Sequence, residues 1–382
     1  MSSPSAYVLL ADGTRFDGLA CAADAAAVGE LVFTTSMTGY QEAMTDPSFA
    51  GQLIVFTYPQ IGNYGVSPQA MESDRIHARA AIMRAAVDRD DAPGAEQGWL
   101  SWLAGAGVPA ATDLDTRALV RHLRDRGAMR GGLFPAATPE SRARALIDAE
   151  PEMTGRDLAA TVTRERTLVL APTGGTAGPR IAIIDTGVKR SIVENLRARG
   201  ATVELHPCGH APAQLTAADP DAIFLANGPG DPGALGAIVD TVRQLVGRLP
   251  VYGICLGHQL LCQAVGLQTY KLPFGHHGAN HPVKDLTTGR TEITSQNHGF
   301  AVLGPGGART IPADEPVRWQ TDVGVAELTH INLYDRTVEG LTLRDVPGAT
   351  VQYHPEGGPG PHDARYLFDR FVAEITASAT AA

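Results

Sequence analysis

Apolar runs alternate with polar turns along the chain, and their spacing changes after residue 152. In the first part the runs are short and typical of β-strands. The predicted strands are residues 7–10 and 15–16, joined by an Asp-Gly turn, then 30–34 and 52–57. One helix is predicted over 113–126, capped by Thr112 or Asp113 and ended by Gly127. We therefore expect a smaller, mixed β-rich N-terminal domain over residues 1–152.

Strands and helices alternate in the second part of the chain. A stretch rich in Pro, Gly and Thr ends the intervening segment 153–179, which predicts an interdomain linker. The predicted strands are 181–184, 202–205, 222–225 and 251–254, and the predicted helices are 191–199, 234–246 and 258–265. This alternation is typical of βαβ units, which bind ligands at the carboxyl ends of their strands. We expect an α/β domain over 180–382, with an open, mostly parallel sheet and flanking helices.

Composition narrows the choice of partners and compartment. The 382 residues carry a formal net charge of −10 with only 31 Lys and Arg, which argues against nucleic acid or an anionic membrane as the main partner. Four cysteines, namely Cys21, Cys208, Cys255 and Cys262, form no disulfide framework. The sequence shows neither a membrane span nor a basic leader, so we expect a soluble, cytoplasmic protein.

A candidate nucleophile lies between a predicted strand and a predicted helix, in Gly253-Ile254-Cys255-Leu256-Gly257. This is the form of a nucleophile elbow, in which small residues flank a nucleophile on a sharp turn. The helix N-terminus behind Cys255 favours the thiolate, and the backbone N–H groups that follow can hold an oxyanion. The alternative is an inert cysteine buried in a tight turn. Labelling with iodoacetamide at neutral pH distinguishes the two.

A thiolate nucleophile needs a base, and the base needs an orienting group. Residues 350–353 predict a strand, and His354 and Glu356 follow at its end. Taken alone, His-Pro-Glu is also compatible with a solvated loop. Together with the elbow at Cys255, it is a candidate pair of base and orienting carboxylate.

Two further segments have the residues of ligand sites. The loop 227–233 fits G-x-G-x-x-G, but its two prolines remove amide donors that a phosphate needs, so we interpret it as a rigid loop near Cys255. His276, His277 and His281 lack a cysteine or carboxylate at ligand spacing, and we expect no metal there. The sequence shows no Walker A pattern for ATP.

The order and spacing of these motifs resemble those of class I glutamine amidotransferases. The motifs are 253–259, the upstream loop 227–232 and His354-Pro355-Glu356. Other segments resemble, more narrowly, the family of small (glutaminase) subunits of carbamoyl phosphate synthetase. They are 35–42, 45–48, 274–278, 280–285, 296–300 and 359–363. The resemblance covers nearly the whole chain.

The resemblance implies roles for the residues at matching positions. Cys255 would attack the side-chain amide of glutamine, His354 would carry the proton, and Glu356 would orient His354. The glutamine site would be lined by Ser48, Gly228, Gly230, Leu256, Gln259, Asn297, Gly299 and Phe300. Because Ser48 belongs to the N-terminal domain, the two domains would pack together.

The resemblance also implies a division of labour between two chains. This chain would hydrolyse L-glutamine through a γ-glutamyl thioester and pass ammonia to a large subunit. That subunit would bind ATP and Mg and make carbamoyl phosphate from bicarbonate, for pyrimidine and arginine biosynthesis. This chain would need no cofactor and would form a heterodimer, or a higher oligomer of heterodimers. His276, His277 and His281 would then belong to a structural or partner-facing loop.

Three other functions remain open at this stage. A glutaminase of anthranilate, aminodeoxychorismate or GMP synthesis should lack the block 35–48. Intact Cys255, His354 and Glu356 argue against a non-catalytic scaffold that has kept the fold. A cysteine peptidase or γ-glutamyl hydrolase would leave the N-terminal domain unexplained.

Overall fold

The structure, a computed structural model, describes residues 5–174, 178–312 and 317–381. The chain divides into two compact units. The first comprises the residues up to Arg156 together with Pro273–Gly278, and the second comprises Asp157–Leu272 and the residues from Ala279 onward. Part of the predicted linker, residues 175–177, lies outside the described residues.

The first unit is built around a closed β-barrel. Its strands are β1 (Ser5–Leu10), β2 (Arg15–Ala20), β3 (Ala27–Thr34), β4 (Gln52–Phe56), β5 (Gln60–Ile61), β6 (Ala80–Ile82), β7 (Ala85–Ala86), β8 (Ala110–Thr112) and β9 (Met129–Pro135). Its helices are α1 (Tyr40–Thr45), α2 (Trp99–Gly105), α3 (Thr116–Arg126) and α4 (Glu140–Ala149). The barrel order is β1-β2-β8-β6-β4-β3-β9, and β5 pairs with β7 separately. The predicted β-rich unit is confirmed.

Helix α3 begins at a cap that the sequence analysis misplaced. Neither Thr112 nor Asp113 caps it, because Asp115 is the N-cap and its side chain accepts from the backbone N–H of Ala118 at 2.9 Å. A carboxylate in this position satisfies an amide that the first helical turn leaves without a backbone acceptor. The predicted end at Gly127 is confirmed.

The second unit contains one large mixed sheet. Its strands are β10 (Leu168–Leu170), β11 (Arg180–Asp185), β12 (Thr202–Pro207), β13 (Ala222–Leu225), β14 (Val251–Ile254), β15 (Thr269–Asp285), β16 (Thr291–Val302), β17 (Arg318–Thr321), β18 (Gly324–Asn332), β19 (Val338–Leu343) and β20 (Gly348–Val351). The middle of β15, Pro273–Gly278, belongs to the first unit. Its helices are α5 (Ala159–Val162), α6 (Arg190–Ala198), α7 (Pro212–Leu215), α8 (Gly236–Leu245), α9 (Leu256–Ala264) and α10 (Tyr366–Ala381). The sheet order is β10-β12-β11-β13-β14-β20-β19-β18-β15-β16, with β17 paired to β18.

Apolar side chains cover both faces of the parallel part of this sheet. Strands β12, β11, β13, β14 and β20 pair in parallel. Successive residues of β11 point to opposite faces, so Ile183 packs with α6 and α10 while Ile184 packs with α8 and α9. The predicted α/β class is thereby confirmed. The antiparallel strands beyond β20 extend the sheet further than the sequence analysis placed it.

Candidate active site

Cys255 occupies the sharp turn between β14 and α9. It is the N-cap of α9, so the helix begins at Leu256 rather than at the predicted residue 258. Its backbone lies at φ 57 and ψ −108, a region that side-chain-bearing residues rarely adopt and that costs about 1–3 kcal/mol. Strand β20 holds this turn in place, since the N–H of Cys255 donates to the carbonyl of Val351 at 2.9 Å. Only 2% of the residue is exposed, and Sγ lies 3.5 Å from the carbonyl oxygen of Asn297.

Two glycines allow the backbone around Cys255 to pack this closely. A Cβ on Gly257 would lie 2.1 Å from the carbonyl oxygen of Leu225, so α9 could not approach β13 with any larger residue there. A Cβ on Gly228 would lie 2.1 Å from the carbonyl oxygen of Thr186. The loop after β13 and the start of α9 therefore meet at the carboxyl end of the sheet, as the elbow predicts.

His354 follows β20, the neighbour of β14 in the sheet. Its backbone N–H donates to the carbonyl of Ser295 at 2.9 Å, which ties it to β16. Its Nδ1 lies 2.6 Å from Oε1 of Glu356, and both side chains are buried. The structure therefore pairs the histidine and the carboxylate that the sequence analysis singled out. Nδ1 is occupied by Glu356, which leaves Nε2 for other chemistry.

The electrostatics of this pair favour the charged forms of both groups. Burial would lower the pKa of His354, but Glu356 and Cys255 raise it to about 10. Burial would raise the pKa of Glu356, but Lys189 and His354 lower it to about 2. At neutral pH the site therefore holds a carboxylate and an imidazolium, with a proton available on the imidazole.

Lys189 is a member of this cluster that the sequence analysis missed. Its side chain is almost fully buried, and Nζ donates to Glu356 Oε1 at 2.8 Å and to the carbonyl oxygen of Gly358. Lys189 is the N-cap of α6, a position where the helix dipole disfavours a cation. That mismatch, at the carboxyl end of a predicted strand, was the available signal of a nearby counter-charge.

Seven of the eight residues expected to line a glutamine site lie in the second unit. Gly228 and Gly230 lie in the loop after β13, Leu256 and Gln259 lie on α9, and Asn297, Gly299 and Phe300 lie on β16. Gln259 Nε2 donates to the carbonyl of Phe300 at 2.8 Å, which joins α9 to β16. Ser48 belongs to the first unit, in a 3₁₀ helix (Pro47–Phe49) where its N–H donates to Asp46 Oδ1 at 2.8 Å.

The histidines assigned to a loop lie in a strand instead. His276, His277 and His281 are all part of β15, and the first two are buried. The prediction of a loop was wrong because two glycines, Gly275 and Gly278, and two prolines, Pro273 and Pro282, suggested a turn.

The arrangement suits acyl-transfer chemistry. A thiol on a strained turn, a buried imidazolium and a carboxylate held by a lysine are the parts of a covalent mechanism in which a thiol attacks a carbonyl carbon.

Within the described parts of the chain, no helix has the length and apolar character required to cross a bilayer.

Both halves of the chain match models of known protein families. Residues 8–133 match the family model "Carbamoyl-phosphate synthase small chain, CPSase domain", and residues 182–374 match "Glutamine amidotransferase class-I". The chain is 45% identical to a carbamoyl phosphate synthase small chain of Chlorobaculum tepidum, over 97% of this chain and 98% of the relative. It is 45% identical to that of Symbiobacterium thermophilum, over 96% and 98%. It is 41% identical to that of Polynucleobacter asymbioticus, over 99% and 97%.

Proposed function

Because the chain belongs to the family of carbamoyl-phosphate synthase small chains, we propose that it hydrolyses L-glutamine and delivers the ammonia to a large ATP-dependent subunit. The observation that carries this proposal is the strained Cys255 at the head of α9, beside the paired His354 and Glu356. The match of residues 8–133 to the small-chain domain favours this function over the glutaminases of other pathways. It also accounts for the N-terminal domain, which a peptidase or γ-glutamyl hydrolase would leave unexplained.

In the proposed mechanism Cys255 acts as a thiolate and His354 as an imidazolium. The sulfur attacks the side-chain carbonyl of glutamine, and His354 gives its proton to the leaving nitrogen, so ammonia departs and a γ-glutamyl thioester remains. The neutral His354 then takes a proton from water as the water attacks the thioester. Glutamate leaves, and the thiolate and imidazolium are restored. The raised pKa of His354 supports the first proton transfer, because the imidazole begins in its protonated form at neutral pH.

Backbone and amide groups around Cys255 would hold the substrate. The N–H of Leu256 belongs to the first turn of α9, where amides have no acceptor within the helix, so it is a candidate donor to the oxyanion. Gln259 commits its Nε2 to Phe300 and Gln352, which leaves its Oε1 to accept from the α-ammonium group of glutamine. Gly228 and Gly230 would supply further backbone contacts, and Ser48, Asn297 and Gly299 would complete the site.

The proposal assigns the remaining chemistry to the partner. The chain itself would bind no cofactor, and ATP and Mg would be bound by the large subunit, which would make carbamoyl phosphate from bicarbonate for pyrimidine and arginine biosynthesis. Free ammonia is protonated in water, so the small chain and the large subunit would associate, as a heterodimer or as a higher oligomer of heterodimers. The complex would be cytoplasmic.

The test is carbamoyl phosphate synthesis by the small chain combined with its cognate large subunit. Cys255→Ser should abolish synthesis from glutamine and leave synthesis from added ammonia intact, because only the first requires the thiol. Cys208→Ser, which changes another buried cysteine of the second unit, is the matched control and should behave as the wild type. Retention of glutamine-dependent synthesis in Cys255→Ser, or loss of both activities, would contradict the proposal.

A further inference from the structure

The side chain of Gln259 joins helix α9 to β16 and to Gln352, the residue that follows β20. Its Nε2 donates to the carbonyl of Phe300 at 2.8 Å and to Oε1 of Gln352 at 3.0 Å. All three residues are buried. Both hydrogens of the Gln259 amide are thereby used, and the orientation of this side chain depends on where those two acceptors lie.

A second set of hydrogen bonds leads from Phe300 back to Gln352 and closes a ring. Phe300 O lies 2.7 Å from His298 Nδ1, and His298 Nε2 lies 2.8 Å from Gln296 Oε1. Gln296 Nε2 donates to Glu339 Oε2 at 3.0 Å, and the N–H of Gln352 donates to the carbonyl of Glu339 at 2.8 Å. The ring therefore ties α9 to strands β16 and β19 and to the residue that follows β20.

Glu339 is the carboxylate of this ring, and its position demands one. It is fully buried, and while Oε2 accepts from Gln296, Oε1 accepts from Asn332 Nδ2 at 2.9 Å. Both neighbours present NH₂ groups, so the group between them must accept on both sides. A carboxylate does this, whereas an amide would direct its own NH₂ at one of the two donors.

The same hydrogen bonds determine the protonation of His298. The carbonyl of Phe300 can only accept, and Gln296 Oε1 accepts because the Nε2 of that residue donates to the carboxylate. Both ring nitrogens of His298 therefore donate, and the ring is an imidazolium. Its charge and that of Glu339 balance each other through the amide of Gln296.

We propose that Glu339 is a positioning residue of the glutamine site. The inference rests on the proposed function, because it gives Glu339 the task of orienting Gln259 and the β16 backbone toward the substrate. Through Gln296 and His298 the carboxylate fixes the carbonyl of Phe300, and through its own carbonyl it fixes Gln352. Cys255 lies at the turn between β14 and α9 outside the ring, so substrate binding depends on Glu339 more than the chemical step does.

The experiment compares Glu339→Gln with Glu327→Gln in the complex with the large subunit. Glu327 is also a buried carboxylate of the sheet, but it pairs with Arg318 and Arg344 rather than with the ring. Glu339→Gln should raise KM for glutamine about tenfold or more, since a donor then faces a donor, while kcat changes less than about threefold. Ammonia-dependent synthesis should not change in either variant, and Glu327→Gln should keep the KM of the wild type.

A swap variant separates positioning from general damage to the fold. In Glu339→Gln with Asn332→Asp, the amide at 339 can donate to the new carboxylate and accept from Gln296, so every donor again has an acceptor. KM should return to within about threefold of the wild type. In ¹⁵N spectra, His298 should have the shifts of an imidazolium in the wild type and lose them in Glu339→Gln.

The outcomes separate this inference from the function on which it rests. If the wild-type complex makes no carbamoyl phosphate from glutamine, both fail. If the wild type does, an unchanged KM in Glu339→Gln overturns the inference alone, as does a neutral His298. A swap variant that improves neither folding nor KM over Glu339→Gln also overturns it, whether or not Glu339→Gln itself folds.

Discussion

Replacing Lys189, which is buried against Glu356, should destabilise the second unit. Its Nζ lies 2.8 Å from Glu356 Oε1, with the two side chains 2% and 0% exposed. Removing one partner of a buried ion pair typically costs about 3–5 kcal/mol, because the remaining charge is left without compensation. Lys189→Met keeps the apolar stem and deletes the cation, so it should lower the free energy of unfolding of the second unit by about that amount.

The loss should be recovered when the stranded charge is also removed. Glu356→Gln alone leaves Lys189 buried without its carboxylate, whereas the double variant leaves neither charge unpaired. We therefore expect the double variant to lose less than the sum of the two single losses, with a coupling of at least about 2 kcal/mol. Amide hydrogen exchange of β14 and β20 measures this in the second unit alone.

The pKa of Glu356 supplies an independent check on the same pair. Lys189 and His354 hold it at about 2 against the effect of burial, so Lys189→Met should raise it. Arg243→Met, which removes a solvent-exposed ion pair with Asp240 in the second unit, is the control and should change stability by less than about 1 kcal/mol. A cost below about 1 kcal/mol for Lys189→Met, or simple addition of the two single losses, would contradict a buried, coupled ion pair.

Three further predictions test other parts of the structure. Gly257→Ala should destabilise the second unit by about 3 kcal/mol, because the added Cβ would lie 2.1 Å from Leu225 O. At Gly236 an added Cβ meets no atom within 4 Å, so Gly236→Ala is the control and should not destabilise the unit. Thermal unfolding measures both variants. The pKa of His354 is about 10 in the folded protein and about 6.5 in the unfolded chain, so its protonation stabilises the fold fully below about pH 6.5 and no longer above about pH 10. The difference in melting temperature between wild type and His354→Gln should therefore shrink as the pH rises from about 6.5 to about 10. Asp115→Ala should cost about 1 kcal/mol in urea unfolding of the first unit through loss of the α3 cap, and an unchanged midpoint would contradict that role.

The sequence predicted those parts of the site that depend on short spacings. Cys255 is recognisable because the turn needs Gly257 two residues later, and His354 and Glu356 lie within three residues of each other. Lys189 reaches Glu356 from 167 residues away, a distance over which no local pattern operates. Its charge at a helix start was a weak sign, since an exposed lysine there would look the same.

The elements that the sequence did not place are those with buried polar groups or distant partners. Strand β16 buries Gln296, Asn297 and His298, so an apolar pattern could not identify it. The barrel closes only when β1 pairs with β9, where Ala6 lies opposite Pro135. Individual strands can be read from alternation, but this pairing depends on the fold of the whole unit.

At Cys255, the residue that would be most stable differs from the residue that activity requires. Glycine adopts φ 57 without a steric penalty, so Cys255→Gly should relieve strain in the turn. A library screened only for heat resistance or soluble yield would enrich that substitution, and its best members would be folded but unable to attack an amide. In a laboratory lineage or a natural one, glycine at this position would identify a chain that has kept its architecture after losing its reaction.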